Sequence, residues 1–282
     1  MRLPLKRLLL LSLGAAVASP PLCVAVVACS THYRDFFDNW AAQLGNLGLD
    51  KDIGVVAIAE DADIVDHLQQ WRKSAPPGAY RRVAQSKNKQ PLARGELGFY
   101  TDGFAKLMSR RARHLIGAHA VLRRQWGDDP RARLIFTDLD VFWLRDPRPY
   151  FRGDCAAWAQ TQHREKGLLN PGFLALRPSP GAAQLLDAWA AALAGGPQRN
   201  LPAFNAAARA AAPAAAACAL PPETFCSAKR TFNRPKWAAD APRGAVTAHA
   251  NWIDGHDAKR AALARSGAWL AAGATPLLVP AR

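Results

Sequence analysis

Short apolar runs alternate with segments of helical spacing from residue 22 onward, and this alternation restricts the possible folds severely. The runs at 22–29 (LCVAVVAC) and 53–59 (IGVVAIA) have the profile of buried parallel strands. A helix is predicted after each of them, at about 33–47 and 62–71. Repeated strand and helix units predict an α/β fold, with a parallel sheet between two helical layers and ligands at the carboxyl ends of the strands.

The remaining chain continues this pattern less regularly. The further elements predicted are helices at about 99–126, 180–193 and 257–270, and strands at 132–137, 156–160, 172–176 and 245–249. Residues 73–94 are rich in proline, glycine and basic side chains, which predicts a long loop. The alanine-rich stretch 206–219 is interpreted as a filler helix that Pro213 must break. No repeat with a period of about 20 to 50 residues is present.

Composition indicates a folded chain with anionic partners. The 282 residues are 50% hydrophobic and 21% charged, which is enough apolar material for one core. The formal net charge of +15 favours anionic ligands in general and names none of them. The basic clusters are not interleaved with aromatic residues, so we interpret them as solvated helix faces and expect no nucleic-acid partner. These clusters are Arg110, Arg111 and Arg113, then Arg123 and Arg124.

The five cysteines exclude a zinc module, because they include no CxxC pair and no metal-ligand spacing. Cys23 and Cys29 would lie about 20 Å apart on one strand, too far to bridge, and are predicted core residues. Cys218 and Cys226 could meet across a loop. An odd total leaves at least one thiol free, and the redox compartment stays open.

The amino terminus has the layout of a secretory signal. Basic residues precede an apolar stretch at 8–18 that ends in small side chains. Eleven apolar residues are too few to span a bilayer at about 20 per helix. We therefore expect residues 1–21 to be a signal peptide or a short signal-anchor, with entry to the secretory pathway and possible membrane association through the N-terminus. A surface amphipathic helix is the alternative. The folded domain is expected at 22–282.

Two carboxylates follow the predicted strand 132–137 directly. Asp138 and Asp140 lie two residues apart on extended chain, so both side chains can face the same side at the edge where ligands bind. Carboxylate oxygens suit Mg²⁺ or Mn²⁺, and a metal held in this way can bridge the oxygens of a diphosphate. Acidic pairs also end many strands as caps or turns, which is the alternative for this pair alone.

The run at 136–147 (FTDLDVFWLRDP) resembles the DxD segment of the nucleotide-diphospho-sugar transferases in glycosyltransferase family 77. That family includes xylosyl- and arabinosyltransferases of plant and algal cell-wall polysaccharides. Further similar motifs follow in the family's order and extend the resemblance over about 22–270. They are Asn39-Trp40, 170–173 (NPGF) with Arg177-Pro178, 202–205 (PAFN), and 249–255 (HANWIDG) with Lys259.

The resemblance implies a GT-A fold with a Rossmann-like mixed central sheet flanked by helices. It implies a retaining, metal-dependent transfer from a UDP-sugar to a glycan or glycoprotein acceptor, in the Golgi lumen or membrane. By position, the metal ligands would be Asp138, Asp140 and His249, holding Mn²⁺ or Mg²⁺. The residues expected to contact the nucleotide sugar are Thr31, Asp138, Asp140, Asn170, Gly172, Gly255 and Lys259.

The implied roles agree with the chemistry of these residues. Imidazole accepts Mn²⁺ more readily than Mg²⁺, glycine lets the backbone approach a phosphate, and lysine neutralises a leaving diphosphate. Asn200-Leu201 stand where family members carry an acidic or amide residue, so one polar contact to the sugar is missing. No catalytic nucleophile is assigned. Retaining transfer needs no enzyme base if the leaving phosphate takes the acceptor's proton.

Each site residue also has a structural interpretation. His249 alone fits a satisfied core histidine, Lys259 a solvated helix residue and Asn170 a turn. Tryptophans are more often core than sugar platforms, which is our interpretation of Trp143, Trp158 and Trp252.

Rival functions share parts of these features. A haloacid-dehalogenase-type phosphatase also uses a DxD after an apolar strand, but that motif normally opens its domain. A non-catalytic module that binds nucleotide sugar or acidic glycan is consistent with Leu201. A nucleic-acid-binding protein is the third alternative, and it is supported only by the net charge.

Overall fold

The computed structural model describes residues 20–86, 102–162, 167–194, 200–227, 244–265 and 268–270, and the fold below concerns these ranges. Ten strands and six helices are described there. The strands are β1 Cys23–Cys29, β2 Gly54–Ala59, β3 Arg81–Gln85, β4 Arg133–Thr137, β5 Val141–Trp143, β6 Ala157–Thr161, β7 Leu169–Leu176, β8 Ala217–Leu220, β9 Phe225–Ser227 and β10 Thr247–His249. The helices are α1 Arg34–Asn46, α2 Val65–Lys73, α3 Asp102–Trp126, α4 Pro180–Ala194, α5 Asn200–Ala210 and α6 His256–Arg265.

Seven strands form the central sheet in the order β3-β2-β1-β4-β7-β6-β8. Neighbours from β3 to β4 pair in parallel, and β7 pairs antiparallel with both β4 and β6. Because β8 is parallel to β6, β7 alone among the seven runs in the opposite direction. The sheet is therefore mixed, as the resemblance implies. The alternation of strands and helices by itself predicted a parallel sheet, which is correct except for β7. The start of β7 consequently lies at the same edge as the ends of β4 and β6.

Side chains alternate between the two faces of the sheet and form two apolar layers. On β1, Val24 and Val26 pack on the face that α3, α4 and α5 cover, while Ala25 and Val27 face α1 and α2. The period of two along the strand and the apolar stripe of each helix produce this separation. The buried strand predicted at 22–29 is confirmed as β1, and Cys23 and Cys29 are buried free thiols as predicted.

A second sheet of three short strands, β5-β10-β9, packs on the α1 side of the central sheet. Strand β10 is antiparallel to β5 and parallel to β9. Because His249 pairs with Val141, the end of β10 is brought beside the residues that follow β4.

Three predicted elements differ from the structure. The predicted loop 73–94 contains β3, an edge strand that pairs with β2. The alanine-rich stretch 206–219 is helical only as far as Ala210, where α5 ends before Pro213 as predicted; a 3₁₀ turn then includes Pro213, and 217–220 form the edge strand β8 instead of helix. Helix propensity is overridden there by pairing with β6. The last helix ends at Arg265 and does not continue to residue 270.

The disulfide joins Cys155 to Cys218, and Cys226 is free. The pairing across a loop that the sequence left open, Cys218 with Cys226, is therefore not formed. In the register of β8 with β6, Cys218 pairs with Trp158, and its sulfur reaches Cys155, which precedes β6. The bridge ties the edge strand β8 to the start of β6.

Residues 1–19 lie outside the described ranges, so the signal and the domain boundary at 22 stay predictions. Among the described helices, none is long and apolar enough to cross a membrane.

Candidate functional site

The candidate site lies where β4 and β6 end, β7 begins and β10 ends. Strand β7 carries a bulge at this edge: Ala159 of β6 pairs with Leu174, whereas the next residue, Gln160, pairs with Asn170. The unmatched residues include Pro171, which has no N–H to donate, and Gly172. The bulge is part of the site, because the Gly172 carbonyl accepts a hydrogen bond from the Asp138 N–H at 2.7 Å.

Asp140 is buried and lies between two potential cations. Its Oδ2 is 2.6 Å from Lys259 Nζ, and its Oδ1 is 3.3 Å from His249 Nε2. Burial would raise the pKa of Asp140, but Lys259 and His249 outweigh burial and hold the pKa well below its ordinary value. Burial would likewise lower the pKa of Lys259, but the Asp140 carboxylate raises it above its ordinary value. The opposite directions of these two pKa shifts favour the ion pair, which holds the Asp140 carboxylate and the Lys259 ammonium together at this edge of the sheet.

Asp138 pairs with a residue that sequence reasoning missed. Arg111 Nη1 of α3 lies 2.6 Å from Asp138 Oδ1. Burial raises the pKa of Asp138, and Arg111 offsets this only in part. The interpretation of the Arg110 to Arg113 cluster as a solvated face is wrong for Arg110, which is buried, and for Arg111. Helical spacing could have revealed Arg111, because it lies three residues after Met108 and four before Leu115, both buried.

The structure brings together the three residues that the sequence predicts as metal ligands. One ligand atom from each of Asp138, Asp140 and His249 lies within 4.8 Å of the other two. A Cβ added at Gly172 would lie 2.6 Å from His249 Cε1 and 2.8 Å from Asp138 Oδ2, so only glycine leaves this space open. Two carboxylates and an imidazole around such a space are a donor set that fits Mn²⁺.

His249 is held by a glutamine that the sequence analysis did not single out. Its Nδ1 is 2.8 Å from Gln160 Oε1, and Gln160 Nε2 donates to the carbonyls of Phe225 and Cys226 at 3.1 and 2.9 Å. A signal was available, because Gln160 and Gln162 are two residues apart at the end of an apolar strand, like Asp138 and Asp140.

Asn170 belongs to a buried amide network at the start of β7. Its Oδ1 accepts from the Gly172 N–H at 2.9 Å, and its Nδ2 donates to Gln162 Oε1 at 3.2 Å. Gln162 Oε1 also accepts from Asn251 Nδ2 at 3.2 Å. Asn205, from the 202–205 motif, bonds the backbone N–H and carbonyl of Leu169 at 2.9 and 2.7 Å. The motifs singled out by the resemblance thus hold one another in register.

Gly255 and Lys259 belong to the start of α6. Gly255 has a φ of +93°, a conformation that favours glycine, and its carbonyl accepts from the Lys259 N–H at 3.0 Å. Lys259 is 8% exposed, so it is not a solvated helix residue. Its ammonium is thereby brought to Asp140.

Thr31 lies after β1 and makes its described contacts away from the Asp138, Asp140 and His249 cluster. Its N–H and its hydroxyl donate to the two carboxylate oxygens of Asp61, at 2.8 and 2.6 Å. Both residues follow parallel strands and so share the ligand-binding edge.

The three tryptophans differ. Trp143 and Trp158 are buried in the core as predicted, but Trp252 is 43% exposed and has a φ of +62°, which is rare for a bulky residue. The core interpretation of Trp252 is therefore wrong.

Comparison with known proteins identifies the class. The solved structure of the glycosyltransferase GlyE of Streptococcus pneumoniae TIGR4 matches with a TM-score of 0.53 and 12% identity, over 86% of this chain and 60% of that one. The galactosyltransferase LgtC in complex with donor and acceptor sugar analogs matches with a TM-score of 0.52 and 13% identity, over 90% of this chain and 98% of that one. Since identity is low, these matches establish the fold, which is the GT-A fold of glycosyltransferases.

Sequence comparison then gives the family. The family model described as nucleotide-diphospho-sugar transferase matches residues 54–263. UDP-D-xylose:L-fucose alpha-1,3-D-xylosyltransferase 3 of Arabidopsis thaliana is 24% identical over 92% of this chain and 70% of its own length. A second such xylosyltransferase of that plant is 24% identical over 88% of this chain and 69% of its own length. The chain belongs to the nucleotide-diphospho-sugar transferase family and is a glycosyltransferase. The predicted GT-A fold and the resemblance to glycosyltransferase family 77 are confirmed.

Proposed function

We propose that this protein transfers a sugar from a UDP-sugar to a sugar hydroxyl of a glycan or glycoprotein, with retention of configuration and with Mn²⁺ as cofactor. The observation that carries the proposal is the convergence of Asp138, Asp140 and His249 on the space that Gly172 leaves open. The names of the Arabidopsis relatives, which use UDP-D-xylose and act on L-fucose, support this donor and acceptor chemistry.

Asp138, Asp140 and His249 would hold the cation, and a bound cation would neutralise negative charge on the diphosphate as its bond to the sugar breaks. Lys259 supplies a second positive charge, and Asp140 holds its ammonium in place at 2.6 Å. Gly255 lets the backbone at the start of α6 approach a phosphate, and the first turn of a helix favours an anion. Positive groups fixed in a buried site stabilise developing charge more than they would in water, because little reorganisation is needed.

We assign the contacts with the donor's sugar to the amide network at the start of β7. Asn170 and Gly172 border the metal-ligating side chains, and Gln162 and Asn205 hold them in place. Thr31 and Asp61 would contact the nucleoside, because they follow β1 and β2 at the same edge. The acceptor hydroxyl's proton would pass to the leaving phosphate, since no nucleophile or base is assigned.

An oxidising compartment is part of the proposal. The Cys155–Cys218 disulfide is typical of proteins that enter the secretory pathway. The expectation of a Golgi location and of a cell-wall polysaccharide acceptor rests on the resemblance. The phosphatase alternative is abandoned, because the chain belongs to a transferase family.

A donor panel tests this function. Purified protein is incubated with each UDP-sugar and a glycan panel, and UDP release and product anomer are measured with Mn²⁺ or with EDTA. We expect one donor to give Mn²⁺-dependent transfer with the donor's anomeric configuration. Asp140→Asn should lower turnover by about 1,000-fold, because both Lys259 and a metal oxygen are affected. Asp129→Asn is the control, because this half-buried carboxylate lies before β4, at the far end of the same strand, and pairs with Arg131.

The alternative of a non-catalytic binding module is abandoned as well, because the chain belongs to a transferase family. UDP binding without transfer to any acceptor in the panel would contradict the proposed donor and acceptor chemistry. Full turnover in Asp140→Asn would contradict the assigned metal site.

A further inference from the structure

The imidazole of His249 lies between two hydrogen-bond acceptors. Its Nδ1 is 2.8 Å from Gln160 Oε1, and its Nε2 is 3.3 Å from Asp140 Oδ1. A neutral imidazole carries one N–H, so only one of these acceptors can receive it. The choice decides whether Nε2 has a free lone pair for a cation.

The orientation of the Gln160 amide is fixed by two backbone carbonyls. Its Nε2 donates to the carbonyls of Phe225 and Cys226, so its Oε1 is the atom that faces His249. Rotating the amide by 180° would place its oxygen against two carbonyl oxygens and its NH₂ against Nδ1. Gln160 is fully buried, and water therefore cannot compensate for such a loss.

Gln160 also connects the two sheets. Its backbone lies at the end of β6, paired with β7 and β8 in the central sheet. Its side chain bonds β9 and the last residue of β10 in the small sheet. The position of His249 relative to Asp138 and Asp140 thus depends on a side chain that is itself held by two hydrogen bonds to the backbone of β9.

We infer that Gln160 is a positioning residue that keeps the proton of His249 on Nδ1 and so leaves Nε2 free to bind a divalent cation. This inference rests on the proposed function for its purpose. Without the Gln160 acceptor, the N–H would move to Nε2 and donate to Asp140 Oδ1. The lone pair needed for the metal would then be lost, although every predicted ligand remained present.

The tautomer is measured directly in the metal-free protein. With ¹⁵N-labelled histidine, long-range ¹H–¹⁵N spectra at a pH where the ring is neutral distinguish Nδ1–H from Nε2–H. We expect Nδ1–H for His249 in the wild type and Nε2–H in Gln160→Met, which keeps the volume and removes the acceptor. A wild-type ring with Nε2–H, or an unchanged tautomer in the methionine variant, would overturn the inference.

Metal binding supplies the second readout. Mn²⁺ affinity is measured by calorimetry with saturating UDP present. We expect Gln160→Met to bind Mn²⁺ about 10- to 100-fold more weakly, the usual loss when a residue that orients a metal-bound histidine is removed. Gln160→Glu keeps an oxygen opposite Nδ1 but can donate to the Phe225 and Cys226 carbonyls only when its other oxygen is protonated, so it should recover part of the affinity. Equal weakening in both variants would indicate a packing effect and contradict the inference.

Gln43→Met is the matched control. Gln43 is also buried and donates to the Trp143 carbonyl at 2.8 Å, but it makes no contact with His249 in the described residues. It should lower the melting temperature without changing Mn²⁺ affinity or the His249 tautomer. A wild type that binds no Mn²⁺ would refute the proposed function alone, because the tautomer spectra would still decide the role of Gln160.

Discussion

The parallel half of the central sheet, β3-β2-β1-β4, and the half that contains the reversed strand, β7-β6-β8, contribute differently to the site. In the parallel half, β1 and β2 are rich in valine, and their buried side chains pack on helices of both layers. Its polar contributions are the residues that follow strand ends, such as Asp138 and Thr31. The other half carries polar side chains within its strands, namely Gln160 and Asn170.

This difference has a physical cause. Reversing β7 brings the beginning of one strand to an edge otherwise formed by strand ends, so its bulged residues meet Asp138 directly. A buried amide needs hydrogen-bond partners, which hold Asn170 and Asn205 against the start of β7 and Gln160 against β9 and His249. Small substitutions in the parallel half should therefore affect only core packing and stability. Small substitutions in the half with the reversed strand should weaken metal binding.

Matched glycine substitutions in the two halves test this contrast most strongly. In Gly172→Ala, the new Cβ would lie 2.6 Å from His249 Cε1 and 2.8 Å from Asp138 Oδ2, so two metal ligands must move apart. Since displacements of about 1 Å can cost a hundredfold in rate, we expect turnover and Mn²⁺ affinity to fall by at least about 100-fold. Enzyme kinetics and calorimetry measure both.

Gly54→Ala in β2 is the matched control. Its Cβ would lie 2.7 Å from Tyr80 Cδ1, a partly buried ring that can shift. We expect a loss of about 1 to 3 kcal/mol in the free energy of unfolding and normal Mn²⁺ affinity. If both alanine variants lose metal binding equally, the contrast between the halves is wrong.

Removing the disulfide tests how the edge strand β8 is held to the rest of the sheet. Strand β8 has four residues, of which two are alanine and only Leu220 is buried, so it contributes little apolar burial. Cys155–Cys218 closes a sequence separation of 63 residues. We expect Cys218→Ala to lower the free energy of unfolding by about 2 to 4 kcal/mol in urea titrations. Cys226→Ala, a buried free thiol in β9, should cost clearly less, and equal losses would contradict this role.

The same contrast explains what the sequence could predict. The β1 and β2 units were predictable because their periodicity is local and long. Strands β5 and β9 have three residues each, and β3 begins with two arginines, so no period could reveal them. Asp138 and Asp140 followed from the end of an apolar strand.

The other site residues required more than local pattern. His249, Gly255 and Lys259 came from the resemblance, because 109 residues separate His249 from Asp140 and no local pattern links them. Arg111 and Gln160 were missed, since charged clusters on helices and glutamines in strands usually have structural roles. Their spacing offered a local signal, but the partner that each contacts across the site, Asp138 for Arg111 and His249 for Gln160, is given only by the fold.

Substitution of Arg111 is expected to have the smallest effect. This residue of α3, a helix that packs on the parallel half, only orients the metal-ligating Asp138. Its Nη1 lies 2.6 Å from Asp138 Oδ1, leaving Oδ2 directed towards the space beside Gly172. In Arg111→Met, Asp138 loses the charge that orients it, and we expect KM for the UDP-sugar to rise about 10-fold with a smaller change in kcat, a loss typical of one charged hydrogen bond. Arg111→Lys keeps a positive charge, and its KM should lie between those of the wild type and Arg111→Met.

Arg113→Met is the control, because Arg113 is exposed on the same helix and donates to Ser109 at 3.3 Å. Steady-state kinetics on all three variants separate the roles. If Arg113→Met raises KM as much as Arg111→Met, the effect comes from the net positive charge of α3 rather than from the Asp138 contact. In that case the parallel half contributes to donor binding through its overall field, which is screened by salt, and the KM difference should disappear at high ionic strength.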